Sequence, residues 1–191
     1  MAMSPQRSNR EQLLDGALRC LERLPAERIT ARAIAEESGA NLASIAYHFG
    51  SKDGLVTAAV IEGLDRWLAE VENALSALDA GTPAERFRHA NAVIRRTQRR
   101  HAGLVHNFVA AIAKAPHDPV VREQLAAGFR RTRPAVAHLL DLGHERAGDD
   151  AAGLVLAMFY GQIIQAQVDP ELTFGGERFD RAFRRLLDLG L

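Results

Sequence analysis

One cysteine in 191 residues leaves no partner for an intrachain disulfide. Cys20 lies near an apolar helical stripe with no second thiol beside it, and reads as a small buried hydrophobe rather than a redox sensor. Excess charge is missing too: 24 Lys and Arg balance 24 Asp and Glu, and within residues 1–55 seven basic side chains face seven acidic ones. Bulk electrostatics therefore do not draw this chain to nucleic acid, and any DNA contact must rest on a few local cations with moderate salt dependence. The most apolar run, Ala151 to Gly161, is shorter than the roughly 20 residues a bilayer span needs and is followed by Gln162, Gln165 and Gln167. The stretch from Met1 to Arg10 is polar and lacks the apolar core of a signal peptide, so the expected location is cytoplasmic, with no membrane partner. Strand alternation, repeats and low-complexity segments do not appear. Gly-x-Ser-x-Gly, His-Glu-x-x-His, Walker and dinucleotide-binding patterns are likewise missing, and the seven histidines are scattered. No enzyme, cofactor or metal site is expected.

Helical periodicity is what the chain does contain, at 47% apolar and 25% charged residues. Spacing and breakers predict an all-α fold of about nine helices. The first spans about Asn9–Leu24, with residues 1–9 as a disordered arm, and Pro25-Ala-Glu-Arg forms a loop. Two short helices follow, ending at Gly39 and Phe49, then a long one from Ser51 to about Leu78 interrupted only by Gly63, as a hinge or a close helix contact. Asp79-Ala-Gly-Thr-Pro breaks the pattern, with Thr82 capping and Pro83 opening the fifth helix to Arg100. The rest are predicted over Leu104–Ala115, Pro119–Leu142 (carrying Pro134), Asp149–Val168 and Glu177–Leu189.

The most informative stretch is Ile29 to Leu55. Thr30 is a good N-cap, Ile29 and Ile34 have hydrophobic-staple spacing, and Gly39 suits a left-handed helix end. Asn41 caps a second helix after Ala40, which makes a helix-turn-helix. At 3.6-residue periodicity Leu42, Ile45 and Phe49 of that second helix face inward. Ala43, Ser44, Ala46 and Tyr47 face outward with His48 at the edge; small side chains allow close approach to base edges, and Tyr47 and His48 can reach phosphates. Lys52, in the first turn of the next helix, opposes the helix dipole, a conflict that a nearby phosphate would relieve.

Thr30-Ala-Arg-Ala-Ile-Ala, Ser38-Gly39, Ser44-Ile45, Tyr47-His48-Phe49 and Ser51-Lys52-Asp53-Gly54-Leu55 resemble the DNA-binding signature of the tetracycline-repressor (TetR/AcrR) family of bacterial regulators. The resemblance covers roughly the first 60 residues. It implies a DNA-binding domain over residues 1–52 and a helical ligand-binding and dimerisation domain over 53–191. It also implies a repressor that binds a pseudo-palindromic operator as a homodimer and is released by a small-molecule effector. Thr30, Arg32, Asn41, Tyr47, His48 and Lys52 would hold phosphates, and Ala43, Ser44 and Ala46 would face bases. Leu42 departs from the polar residue often found at its position in the family.

Two further sets follow. Polar and aromatic residues within apolar helices are candidates for an effector pocket: Trp67, His106, Asn107, Phe108, Tyr160 and Gln162. The eighth helix is apolar nearly all round, so it should be buried on every side, with a second subunit as cover. Leu154, Val155, Met158, Phe159 and Ile163, with Phe179, Phe183 and Leu186 of the last helix, are expected at that seam. The alternative is a sensor or interaction protein of the same fold whose degenerate head binds no operator, favoured by the neutral head and the lack of Arg, Asn or Gln on the outward face.

Overall fold

The computed structural model describes residues 8–77 and 81–188, apart from the Leu187 side chain. Among them are nine α-helices and no strand: α1 (Asn9–Arg23), α2 (Ala31–Ser38), α3 (Ala43–Phe49), α4 (Lys52–Ser76), α5 (Pro83–Thr97), α6 (Ala102–Lys114), α7 (Pro119–Leu139), α8 (Arg146–Val168) and α9 (Glu177–Leu187). Short 3₁₀ turns at Ala26–Arg28 and Pro170–Leu172 occupy stretches expected to be plain loop. The proposed arm lies outside the described residues, save that Ser8 and Asn9 cap and begin α1; Leu78, Asp79, Ala80 and Leu189 also lie outside them.

Local chemistry accounts for most boundaries. Ser8 and Glu11 form a reciprocal capping box on α1, and Thr82 and Glu85 form another on α5, where Pro83 takes the first position. Thr30 Oγ1 accepts from Ala33 N at 3.1 Å, and Ser51 Oγ accepts from Gly54 N at 2.9 Å. Gly39 (φ 69°) and Gly50 (φ 73°) end α2 and α3 in conformations that a side chain would penalise. Helix α7 continues through Pro134.

The chain divides into two compact units, one comprising residues up to Arg66 with His101–Phe129, the other Trp67–Arg100 with Arg130–Leu191. The division falls inside α4 and inside α7. The first unit is centred on Leu13, Ala17, Leu21, Ile29, Ile34, Ile45, Leu55, Val60 and Phe108, all buried. Cys20 is buried there as well, and burial pushes its thiol up, away from the reactive thiolate. Gly63 is a close helix contact: a Cβ there would lie 2.7 Å from Leu104 Cδ1 and 3.0 Å from Leu18 Cδ2.

In the second unit the indole N–H of Trp67 donates to Thr97 Oγ1 at 2.7 Å, and that hydroxyl donates to Val93 O at 2.9 Å. Phe87 packs on Phe179 and Phe183 at ring separations of 5.5 and 6.0 Å. Helix α8 is not enclosed by its own unit: only Gly148, Ala152 and Ile163 are buried, while Leu154 is 70% and Val168 79% exposed. It runs 23 residues, well past the apolar run seen in the sequence, and by length and composition alone could cross a bilayer. Helices that bury an apolar face against protein share that property.

Candidate nucleic-acid interface

The head is assembled by contacts between α1 and α2 that leave α3 outermost. Gly16 lets the helices cross closely, since a Cβ there would sit 2.6 Å from Ser38 Cβ. Arg19 Nε pairs with Glu37 Oε1 at 2.7 Å, and Arg23 pairs with the other carboxylate oxygen. These hydrogen bonds, Arg19's first, hold the Glu37 carboxyl below the usual carboxylate range. Ile45 and Phe49 anchor α3 from beneath, and the Arg10 guanidinium lies 5.4 Å from the centre of the Phe49 ring.

On its outer side α3 presents Ala43, Ala46, Tyr47 and His48, all exposed, with Ser44 half-buried. Tyr47 is 85% exposed and meets His48 edge-on at 4.8 Å between ring centres. Thr30, Arg32 and Asn41 are exposed around this face. The Asn41 carboxamide oxygen accepts from Ala43 N at 2.9 Å, but Asn41 is not the cap its position suggested: α3 begins at Ala43, and Leu42 takes the N-cap position without a side-chain bond. Leu42 therefore does not join the inward face as its spacing suggested. It sits outside the first helical residue and is 46% exposed.

Lys52 also differs from expectation. Its ammonium does stand in the first turn of α4, but the conflict with the helix dipole is relieved within the chain. Nζ pairs with Asp53 Oδ1 at 2.8 Å and donates to Ala26 O at 3.3 Å. Burial would raise the Asp53 carboxyl, yet hydrogen bonds from Lys52 and Lys114 outweigh it and hold the group low.

The candidate pocket residues divide between the units. His106, Asn107 and Phe108 lie in the first, and Trp67, Tyr160 and Gln162 in the second. His106 is exposed, while Phe108 is fully buried and meets Phe129 edge-on at 6.2 Å. Asn107 is 1% exposed, with its carboxamide committed to backbone. Gln162 Oε1 accepts from Phe174 N at 3.4 Å, and Tyr160 stands beside Phe159 at 5.7 Å. Among the seam candidates, Leu154 and Leu186 are exposed and Val155 and Met158 half-buried. Ile163 is 2% exposed and so is not open to a partner; Ile164, next to it, is exposed. Phe159 meets Trp67 edge-on at 5.8 Å, so one side of its ring is used internally, as are Phe179 and Phe183 against Phe87.

Residues 13–59 match the family model of the bacterial regulatory proteins, tetR family. The match spans the buried anchors of α1, the helix-turn-helix and the first turns of α4. Residues 13–59 form a TetR-family DNA-binding domain. An HTH-type transcriptional regulator BetI from Burkholderia mallei (strain NCTC 10229) is 26% identical over 148 residues, covering 76% of this chain and 75% of that one. Among solved structures, a transcriptional regulator from Rhodococcus sp. RHA1 shares the fold with a TM-score of 0.68 at 19% identity, over 86% of each chain. A regulator from Saccharomonospora viridis, solved in complex with choline, has a TM-score of 0.57 at 19% identity, covering 84% of this chain and 85% of its own. The match gives residues 13–59 the helix-turn-helix of bacterial transcriptional regulators, and the described remainder of the chain is helical.

Proposed function

We propose that the chain is a cytoplasmic repressor that binds a pseudo-palindromic operator as a homodimer and leaves it on binding a small-molecule effector. The DNA-binding domain comprises residues 1–52, and 53–191 carry effector binding and dimerisation. One observation carries this: the exposed Tyr47, standing on the same outer side of α3 as Ala43 and Ala46. An aromatic phenol held out into solvent from a well-anchored helix suits a phosphate contact, and the alanines beside it suit close approach to base edges. Thr30, Arg32, Asn41 and His48 complete the backbone-holding set, and Ser44 joins the alanines. With so few base-bonding groups, part of the specificity comes from DNA shape.

One seven-residue helix reads too little sequence alone, and two heads would read two half-sites. The exposed Leu154, Ile164, Val168 and Leu186 supply the apolar seam for the second subunit. For the effector, the choline complex of a structural relative supports a small organic molecule. Trp67, Tyr160 and Gln162 are the lining candidates.

The neutral head favours a second reading, in which the same fold senses or interacts without an operator. Selection of bound sequences from random duplexes separates the two: an inverted repeat supports the repressor, and no enriched sequence at low salt supports the sensor. Once a site is known, Tyr47→Ala should weaken binding to operator and random DNA alike, by about tenfold for a lost charge-assisted contact. Unchanged binding to both would remove α3 from the interface.

A further inference from the structure

We infer that Asn107 and Lys114 of α6 are positioning residues for DNA recognition, acting through the connector between α1 and α2; the inference rests on the DNA-binding role proposed above. Asn107 is an amide buried between the exposed His106 and the core residue Phe108 of α6, and its bonds account for its presence. Its Oδ1 accepts from Ala26 N at 2.6 Å, and its Nδ2 donates to Gly103 O at 2.8 Å and to Leu24 O at 3.4 Å. The two connector groups flank Pro25, which has no N–H of its own to hold that bend. They close the C-terminus of α1 and open the 3₁₀ turn that leads into Thr30, the cap of α2.

The circuit closes on the carbonyl of the same residue, Ala26. Ala26 O accepts from Lys52 Nζ at 3.3 Å, Lys52 pairs with Asp53, and Asp53 Oδ2 accepts from Lys114 Nζ at 3.0 Å. Asn107 and Lys114 are seven residues apart, two turns along one face of α6. That helix thus grips the head twice, through the α1–α2 connector and through the first turn of α4. Gly103 permits the grip: a Cβ there would lie 2.5 Å from Leu21 O. None of these side chains belongs to the exposed face of α3, yet both ends of the segment that carries it are fixed by them.

The test uses the full-length protein. Asn107→Leu keeps approximate volume and removes the bonds; Lys114→Met removes the ion pair and Lys114→Arg restores it. Val121→Ala, a buried truncation in α7 of the same unit, serves as a control for general destabilisation. Affinity for the selected operator is measured below the melting transition of every variant, alongside hydrogen exchange of the 24–49 amides. Asn107→Leu and Lys114→Met should each lower operator affinity about tenfold and speed exchange within 24–49, with Lys114→Arg and Val121→Ala within about twofold of the parent. Parental affinity in Asn107→Leu, or an equal loss in Val121→Ala at matched melting temperature, overturns the inference. Should the parent itself select no duplex, the repressor reading falls. Exchange then decides this inference alone, and unchanged 24–49 amides in Asn107→Leu overturn it.

Discussion

Gly16 and Gly63 are both mid-helix glycines in close contact, and the kind of atom each meets separates their costs. Alanine is favoured over glycine by about 1 kcal/mol in a helix interior. At Gly16 the new methyl would lie 2.6 Å from Ser38 Cβ and 3.0 Å from Ser38 N and Cα, so backbone must move. Overpacking of that kind costs about 1–3 kcal/mol, and Gly16→Ala should be net destabilising in urea titration. At Gly63 the nearest atoms are methyl ends of Leu104 and Leu18, which can rotate away. Gly63→Ala should fall within about 1 kcal/mol of the parent, gain and loss nearly cancelling. Equal costs at both positions would contradict the backbone contact between α1 and α2. Leu42, exposed at the entrance to α3, invites the opposite experiment. Leu42→Lys should change stability by no more than about 0.5 kcal/mol and steepen the salt dependence of DNA binding by about one counterion. A parental salt slope would place Leu42 away from phosphate.

Helix ends in this protein were largely legible from the chain, because capping is chemistry between residues three apart. Thr30, Ser51 and Thr82 cap as their positions suggested, and Gly39 ends α2. Leu42 escaped because it is itself the N-cap of α3, while the expected cap, Asn41, stands one residue further out and accepts from Ala43 N. Lys52 escaped for a different reason: Ala26, which accepts from it, is 26 positions away, and Lys114, which shares its neighbour Asp53, is 61 positions from that carboxylate. The carboxylates that tie elements together set a pH dependence. Glu37 joins α1 to α2, and Asp53 joins α4 to α6; both are held below ordinary carboxylate values. A depressed acid stabilises above its unfolded pKa and loses that contribution as pH falls through its folded value. Melting temperature should therefore be flat through neutrality and decline below about pH 4. A Glu37→Gln, Asp53→Asn double variant should decline less steeply there. An equally steep acid decline would assign it to other groups.

For the whole molecule the open surface of α8 sets the expectation. A helix with Leu154 and Val168 largely in water is costly to leave uncovered, since each buried aliphatic side chain contributes about 1.5–3 kcal/mol. Sedimentation should therefore report two chains at micromolar concentration. Leu154→Lys with Val168→Lys should shift the mass to one chain while helical content is kept, with loss of operator affinity because two heads no longer act together. An unshifted mass would move the subunit contact elsewhere. Two chains joined along α8 would also cover the surface that its length and composition could otherwise offer to a bilayer.

Helix number, the caps, the turn at Gly39 and the outward set on α3 follow from residues within about four positions of one another, so periodicity and capping rules reached them. Asn107 shows where such rules stop: an amide between His106 and Phe108 suits a ligand pocket as well as a core, and its bonds to Leu24 and Ala26 arise only once α6 lies against α1. Ile163 and Ile164 make the same point for apolar residues, alike in chemistry and opposite in burial. Local spacing specifies which elements form; which side of each is covered depends on packing between elements far apart in the chain, where one residue of rotation exchanges core for surface.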